Sequence, residues 1–498
     1  MIMQKNLLYI LFLLTALPIS AQSRLEGIEM AIEASATASS GDYAPLWLSA
    51  NRYGLGSVQP NSNYERVRVE RSLQRDSTRS WRLGYGLDLA VAFGHERTGI
   101  VEQAYAEGAW KILKLTLGAK QQPLETQNPE LCSGALSMGI NARPIPQARL
   151  DIDWFTIPGT KGWWQWKLNG SYGYMTDGSW QESWSGNGCK YAKNTLYHEK
   201  AVYWKFGRTD ILPFTYEIGL RMASEFGGSS YHVQTERAND NQPSNYNHPT
   251  SPRAFIDALL CRGSDATDGS NPNVAGNHLG SYIMQLKYHG ESWQARAYWE
   301  RFFEDHSMLT VQYGIRDMLL GAEVTLPHNP YVSSIVAEYL STTDQSGAVY
   351  HDGTKSLPDA MAGRDEYYNH TLYAGWQYYG QGIGHPLLTA PLYNNAFGRP
   401  NLLYFSNNRV KALHLGISGD PCTEWHWRFL ATFSHNWGTY YNPLDDILSQ
   451  NYFLGEATYR PRWADGWQAN VGLGLDHGSL IGNSIGAQVT LRKLLRIK

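Results

Sequence analysis

Residues Leu83–Gly94 read LGYGLDLAVAFG. Leu83, Tyr85, Leu87, Leu89, Val91 and Phe93 fall on one side of an extended chain, because side chains in a strand alternate faces with a period of two. Gly84, Gly86, Asp88, Ala90, Ala92 and Gly94 fall on the other side. One face is greasy and the other is small or polar, which reads as a strand with a single apolar face. The pattern recurs along the chain. Tyr216, Ile218, Leu220 and Met222 alternate with Thr215, Glu217, Gly219 and Arg221. Trp467, Ala469, Val471, Leu473 and Leu475 alternate with Gln468, Asn470, Gly472, Gly474 and Asp476. Ile485, Ala487, Val489 and Leu491 alternate with Gly486, Gln488, Thr490 and Arg492. Long helical periodicity is nearly absent.

Further strands are predicted near 27–37, 64–73, 100–111, 112–120, 147–155, 164–174, 196–206, 281–289, 293–303, 318–327, 331–341, 370–378, 410–418, 424–435 and 451–460. About nineteen candidates result, too many for anything but a large sheet system. A soluble sandwich or propeller and a transmembrane barrel make opposite demands on the polar face. The first needs long solvated residues there, whereas the second accepts Gly, Asn, Gln and paired charges facing a lumen. The Gly-rich faces favour the barrel. Tyr203-Trp204, Tyr298-Trp299, Trp425, Trp427, Tyr378-Tyr379 and Tyr440-Tyr441 supply aromatics for two girdles at the membrane boundaries. Closure also removes the sheet edges that lipid does not tolerate.

The expected fold is therefore all-β: a large antiparallel transmembrane barrel of sixteen or eighteen strands, with eighteen the count adopted. At about ten residues per strand, eighteen strands use roughly 180 residues and leave more than half the chain for connections. That surplus predicts a lumen plugged by loops or short helical segments. The block 44–63, APLWLSANRYGLGSVQPNSN, is the candidate plug. The largest connection, Ser229 to His278, is expected to be an extracellular loop carrying a short helix at Ala254–Leu260; Thr342–Asn369 and Tyr379–Asn408 come next.

Composition agrees with this reading. The chain has 498 residues with 48 Gly, 18 Trp, 32 Tyr and 14 Phe, and its 13% aromatic content excludes a disordered chain. Lys plus Arg number 42 against 45 Asp plus Glu, so no global positive field exists to gather nucleic acid. A mean hydropathy of -0.42 argues against a bundle of membrane helices. Only the N-terminus is locally apolar: Lys5, the run from Leu7 to Leu17, Pro18 and then Ile19-Ser20-Ala21 form a secretory signal peptide. Residues 1–21 are expected to be cleaved, leaving 22–498 as a single outer-membrane barrel domain. Cys132, Cys189, Cys261 and Cys422 are too widely spaced to staple a small fold or form a zinc motif, and no chemistry is assigned to them.

Several strings together resemble Wzi-type capsule assembly proteins in their Bacteroidetes-like form. They are SANRYGLGS (Ser49–Ser57), LYHEKAVYWKFGR (Leu196–Arg208), YEIGLRMASEFGG (Tyr216–Gly228), GHPLL (Gly384–Leu388) and NNRV (Asn407–Val410). The resemblance spans most of the chain. It implies a plugged, eighteen-stranded barrel in the Gram-negative outer membrane that holds capsular polysaccharide at the cell surface. The ending VTLRKLLRIK departs from the terminal aromatic residue of many such barrels.

Sugar binding needs flat aromatic faces beside carboxylates and amides. Trp180 and Trp184, in the Gly-Ser-rich connection after the strand at 164–174, are the candidate stacking platforms, with Asp177 and Glu182 as hydrogen-bonding carboxylates. Trp163, Trp164 and Trp166 fit an aromatic girdle. Arg66, Arg68, Glu70, Asp88, Glu217, Arg221 and Arg428 fall on the polar face and are expected to face the lumen, paired with opposite charges because burying unmatched charge is costly. Catalytic motifs are not expected to operate. Gly482–Gly486 matches a nucleophile elbow in sequence but precedes a strand, not a helix. Asp151 and Asp153 share one strand face, whereas glycosidase carboxylates must flank a bond. His232, His248 and His278 with Asp265 and Asp268 lack metal-ligand spacing. The expected protein is a non-enzymatic, lectin-like outer-membrane barrel without cofactor or metal, monomeric and inserted by the barrel assembly machinery. Its partners are surface polysaccharide and membrane lipid. A porin-like channel and a secreted carbohydrate-active enzyme are the alternatives.

Overall fold

The sequence alternation is realised as one closed sheet in a computed structural model that describes residues 27–496, apart from 77, 234–243, 263–275, 305–315, 328, 330, 346–349, 352–360 and 363–365. Eighteen strands form it. They are β1 (Glu29–Ser39), β2 (Asn61–Arg71), β3 (Trp81–Phe93), β4 (Gly99–Trp110), β5 (Leu113–Ala119), β6 (Gln147–Thr156), β7 (Trp164–Tyr174), β8 (Leu196–Phe206) and β9 (Phe214–Phe226). The second half is β10 (Asn277–His289), β11 (Gln294–Glu304), β12 (Met318–Thr325), β13 (Ser334–Ser341), β14 (Val410–Cys422), β15 (Trp425–Gly438), β16 (Pro443–Tyr459), β17 (Trp467–Gly478) and β18 (Ser484–Arg496). Each strand pairs antiparallel with the next, and β1 closes the barrel against β18, with Glu33 opposite both Arg66 of β2 and Arg492 of β18. Residues 1–21, expected to form a signal peptide, lie outside the described residues.

The outer face is apolar. On β3 every second residue from Trp81 to Phe93 is exposed, while Asp88, Ala90 and Ala92 between them are buried. Trp81 stacks on Trp110, Trp164 on Phe206 and Trp425 on Tyr459, all at the ends of strands that meet the short connections. This is an aromatic girdle at one rim. The adjacent aromatic pairs divide between the faces: Tyr298 points inward and donates to Glu338 at 2.5 Å, which a period of two requires if Trp299 is to face outward. All the long connections emerge at the opposite rim, which corresponds to the extracellular side of such barrels.

One predicted strand is absent from the wall. The stretch 370–378 contributes only the two-residue strand Gln377–Tyr378, paired with Gln381–Gly382. Leu372 to Tyr378 are buried on both sides, so the segment has no face to offer lipid, and Tyr378-Tyr379 are plug residues instead of girdle residues.

Three connections fill the lumen: 40–60 with helix α1 (Leu46–Ser49), 120–146, and 366–408. Trp47, Leu131, Leu136, Tyr368, Trp376 and Phe405 form a buried cluster there with wall residues. The proposed plug at 44–63 is thus one of three parts, and its last residues, from Asn61, begin β2. Wall glycines let the plug approach closely. A Cβ on Gly474 of β17 would lie 2.6 Å from Pro45 Cβ, inside any tolerable contact. Polar wall groups then hold it: the Leu46 N–H donates to Asp476 at 2.8 Å and the Trp47 indole to Thr432 at 3.1 Å. Glu300 accepts from the Leu136 and Ser137 N–H groups at 2.9 and 3.2 Å, and Glu338 accepts from the Ser133 N–H at 2.6 Å.

Candidate functional site

All seven charges expected on the polar face lie in ion pairs. Arg66 meets Asp88 at 2.5 Å and Arg68 meets Glu70 at 3.5 Å. Glu217 meets Lys287 at 3.2 Å, and Arg221 meets Glu199 at 3.3 Å. Glu456 binds both Arg428 of the wall, at 3.0 Å, and Arg52 of the plug, at 2.8 Å. Arg52–Glu456 ties the plug to the wall, whereas the other pairs join wall residues to one another; each sets charge against opposite charge on the lumen side.

The aromatic candidates sit at the long-loop rim. Helix α2 (Gly178–Trp184) places Trp180 and Trp184 four residues apart, hence on one face. Their rings stack at 5.4 Å with 26° between planes. Trp180 is only 8% exposed. It packs on Tyr379 at 5.9 Å, and Gly380 makes room for it, since a Cβ there would come within 2.8 Å of the indole. The Arg143 guanidinium covers the Tyr379 ring at 4.4 Å. Trp184, half-buried, is the accessible member of the pair.

Both indoles line a cleft of about 550 Å³ together with Gln59, Asn61, His95, Glu96 and Ser183. Gln59 arrives from the first long connection, Asn61 from the start of β2, and His95 and Glu96 from the 94–98 hairpin that follows β3. Burial and the nearby Arg143 hold the His95 imidazole down to about 4, so it is neutral at physiological pH. Burial pushes the Glu96 carboxyl up to about 7, against the pull of Arg143. His95 Nε2 has no hydrogen-bond partner among the described residues. The cleft thus combines a flat apolar face, amides, a neutral imidazole and a carboxyl poised between its two states, a set suited to a hydroxyl-rich ring.

Asp177 and Glu182 do not line it. Asp177 is 1% exposed, and its Oδ2 accepts from Gln181 at 3.0 Å, Gln377 at 3.3 Å and the Tyr379 N–H at 3.1 Å. It ties α2 to the 377–382 hairpin, and burial raises its pKa. Glu182 lies two residues from each indole and pairs with Lys193 at 2.6 Å. Sequence reasoning missed His95 and Glu96 although they directly follow the deciding stretch: a hairpin tip has no periodicity to read.

The other sequence candidates have local explanations. Asp151 pairs with Arg149 at 2.8 Å and Lys114 at 3.2 Å. His248 bonds to Ser230 at 2.8 Å, Asp265 and Asp268 lie outside the described residues, and no cluster of three metal-ligating side chains occurs among those described. Gly482–Gly486 spans the turn into β18. The four cysteines are unbridged.

One pH effect follows from the cleft. Covering Glu96 with a ligand desolvates it further and favours its protonated form. If occupancy raises its pKa by about one more unit, affinity falls by about tenfold as pH rises through 7 to above 8. Titrating a glycan ligand onto the purified protein from pH 5.5 to 8.5 checks this, and Glu96→Gln should flatten the profile.

No family model and no curated protein sequence matches the chain. Among solved structures, it is similar to Wzi of Escherichia coli, an outer membrane protein involved in group 1 capsule assembly and described as a carbohydrate-binding β-barrel. The TM-score is 0.55 at 12% identity, covering 93% of this chain and 83% of that one. Pseudomonas aeruginosa OccK5 (OpdH) gives a TM-score of 0.46 at 8% identity, covering 95% of this chain and 98% of the other. At these identities the likeness concerns the fold: this chain is a closed, plugged, eighteen-stranded barrel of the outer-membrane type.

Proposed function

We propose that this protein is a lectin-like barrel of the Gram-negative outer membrane that binds capsular or other surface polysaccharide noncovalently and supports its assembly and attachment to the cell. The observation that carries the proposal is the stacked Trp180–Trp184 pair lining a polar cleft at the long-loop rim, above a lumen packed with side chains. A sugar ring laid on Trp184 buries its C–H face there, while Gln59, Asn61, His95 and Glu96 offer partners for its hydroxyls. Trp180 backs the platform, and Asp177 and Glu182 serve as its supports. The fold shared with the capsule-assembly barrel of Escherichia coli adds weight. Cleavage after Ala21, insertion by the barrel assembly machinery, a monomeric state and a role without catalysis belong to the same proposal.

Fluorescence titration of the purified barrel with polysaccharide extracted from the producing cells tests it. Trp184→Ala is expected to weaken binding about tenfold, corresponding to about 1.4 kcal/mol of lost stacking. Equal binding by wild type and the Trp180→Ala/Trp184→Ala variant would remove the cleft as the site.

A further inference from the structure

Part of the barrel's outer wall is covered by its own chain. On β7, β8 and β9 the inward residues are those such as Ser171, Glu199 and Arg221, so the intervening Tyr172, His198, Lys200, Ser224 and Phe226 point outward. Yet His198, Ser224 and Phe226 are buried. The cover is helix α3 (Pro252–Leu260), from the connection between β9 and β10. Its Phe255 packs on Tyr172 at 5.2 Å and on Phe226 at 5.2 Å, and the Tyr172 hydroxyl donates to the Phe255 carbonyl at 2.7 Å. Lys200, which would otherwise put an ammonium on the lipid side of the wall, donates to the Ala258 carbonyl at 3.3 Å and also to the Leu259 carbonyl. The last carbonyls of a helix are the natural acceptors for such a cation.

The opposite face of α3 is also apolar. Ile256, Leu259 and Leu260 are 51%, 43% and 52% exposed. Arg253 and Arg262 flank them, also exposed, and share Asp257, at 3.6 and 4.0 Å, which leaves the group of three with one net positive charge. A helix with two apolar faces has one too many for water. Its inner face already rests on the wall. Its outer face continues the apolar surface of the barrel at the level where β7, β8 and β9 reach the long-loop rim, since Lys200 lies four residues, or about 13 Å of strand, below the end of β8.

We infer that α3 is an in-plane anchor docked in the outer leaflet, with Ile256, Leu259 and Leu260 among the acyl chains and Arg253 and Arg262 on the anionic lipid phosphates. This inference rests on the outer-membrane reading above. The apolar stripe supplies depth, and the two guanidinium groups at the ends of the helix set the level at the headgroups. The anchor would hold the connection between β9 and β10 against the membrane, away from the sugar cleft.

The test uses full-length protein with Cys189, Cys261 and Cys422 changed to Ser, buried Cys132 retained, and one added cysteine, Ile256→Cys or Leu473→Cys, carrying an environment-sensitive fluorophore. Leu473 is exposed on the outer wall of β17. In phosphatidylethanolamine–phosphatidylglycerol vesicles, a lipid quencher placed near the headgroup is expected to quench the probe at 256 about threefold more than aqueous iodide does, as an interfacial helix requires. Changing Arg253 and Arg262 to Gln should reduce that preference in these vesicles. If iodide quenches position 256 while lipid quenches position 473, the anchor is wrong and the membrane barrel stands. If iodide quenches both, the outer-membrane reading fails with it.

Discussion

Replacing Glu300 and Glu338 together with alanine is expected to turn the plugged barrel into an ion-conducting pore. These two wall carboxylates, on β11 and β13, are the acceptors for backbone N–H groups of the 120–146 segment at Leu136, Ser137 and Ser133. Glu338 also accepts from the Ser133 hydroxyl and the Tyr298 hydroxyl, both at 2.5 Å. Hydrogen bonds to a charged acceptor contribute about 1.5–3 kcal/mol each, and a buried N–H left without a partner costs about 1–3 kcal/mol. Losing several at once favours admission of water along the wall and release of the segment. In planar bilayers the wild type should show no large steady conductance, whereas the double variant should show frequent long openings. Glu300→Gln/Glu338→Gln retains acceptor oxygens and should stay mostly closed. Migration on unboiled gels verifies that each variant is folded. A wild-type barrel with large steady conductance would support the channel reading.

Glu199→Ala is expected to be among the most damaging single substitutions in the wall. Glu199 stands between Arg149, at 3.0 Å, and Arg221, at 3.3 Å, and all three side chains are buried. Removing the carboxylate leaves Arg149 with Asp151 alone and takes from Arg221 its carboxylate partner; breaking a buried pair in this way costs about 3–5 kcal/mol. The temperature at which the folded band converts to the unfolded one in detergent should fall sharply. A triple variant, Arg149→Met/Glu199→Leu/Arg221→Met, should recover much of that loss, because apolar residues of similar volume carry no desolvation penalty. Similar destabilisation of the single and triple variants would show that packing, not charge, sets the cost.

The wall of the barrel was legible in the sequence because lipid and lumen impose different chemistry on alternate residues. Leu83 to Phe93 carries that signal over a full strand, and the charges at Arg66, Asp88, Glu217 and Arg221 follow from the same period. The stretch 370–378 deceived for the converse reason: its aromatics are buried by the plug on every side, and a buried chain can alternate without being a wall strand. The plug itself was only partly legible. Trp47 and its neighbours stood out as an apolar insert, but the 120–146 segment is held by its backbone N–H groups, which leave no trace in residue type. The cleft shows the same limit. Trp180 and Trp184 announce themselves by composition, whereas His95 and Glu96 reach them from another connection, and Asp177 turns out to be spent on the Tyr379 N–H. Contacts between loops depend on where the barrel places the loop ends, which no local pattern encodes.

The role proposed for the rim cleft is to retain surface polysaccharide. Its most direct test is fractionation of cells that lack the gene and express either wild type or the Trp180→Ala/Trp184→Ala variant, scoring cell-attached against shed polysaccharide and the amount of barrel in the outer membrane. Equal amounts of folded barrel are expected in both strains, with polysaccharide attached in the first and largely shed in the second. Polysaccharide retained equally by both strains, and by cells lacking the protein, would contradict it.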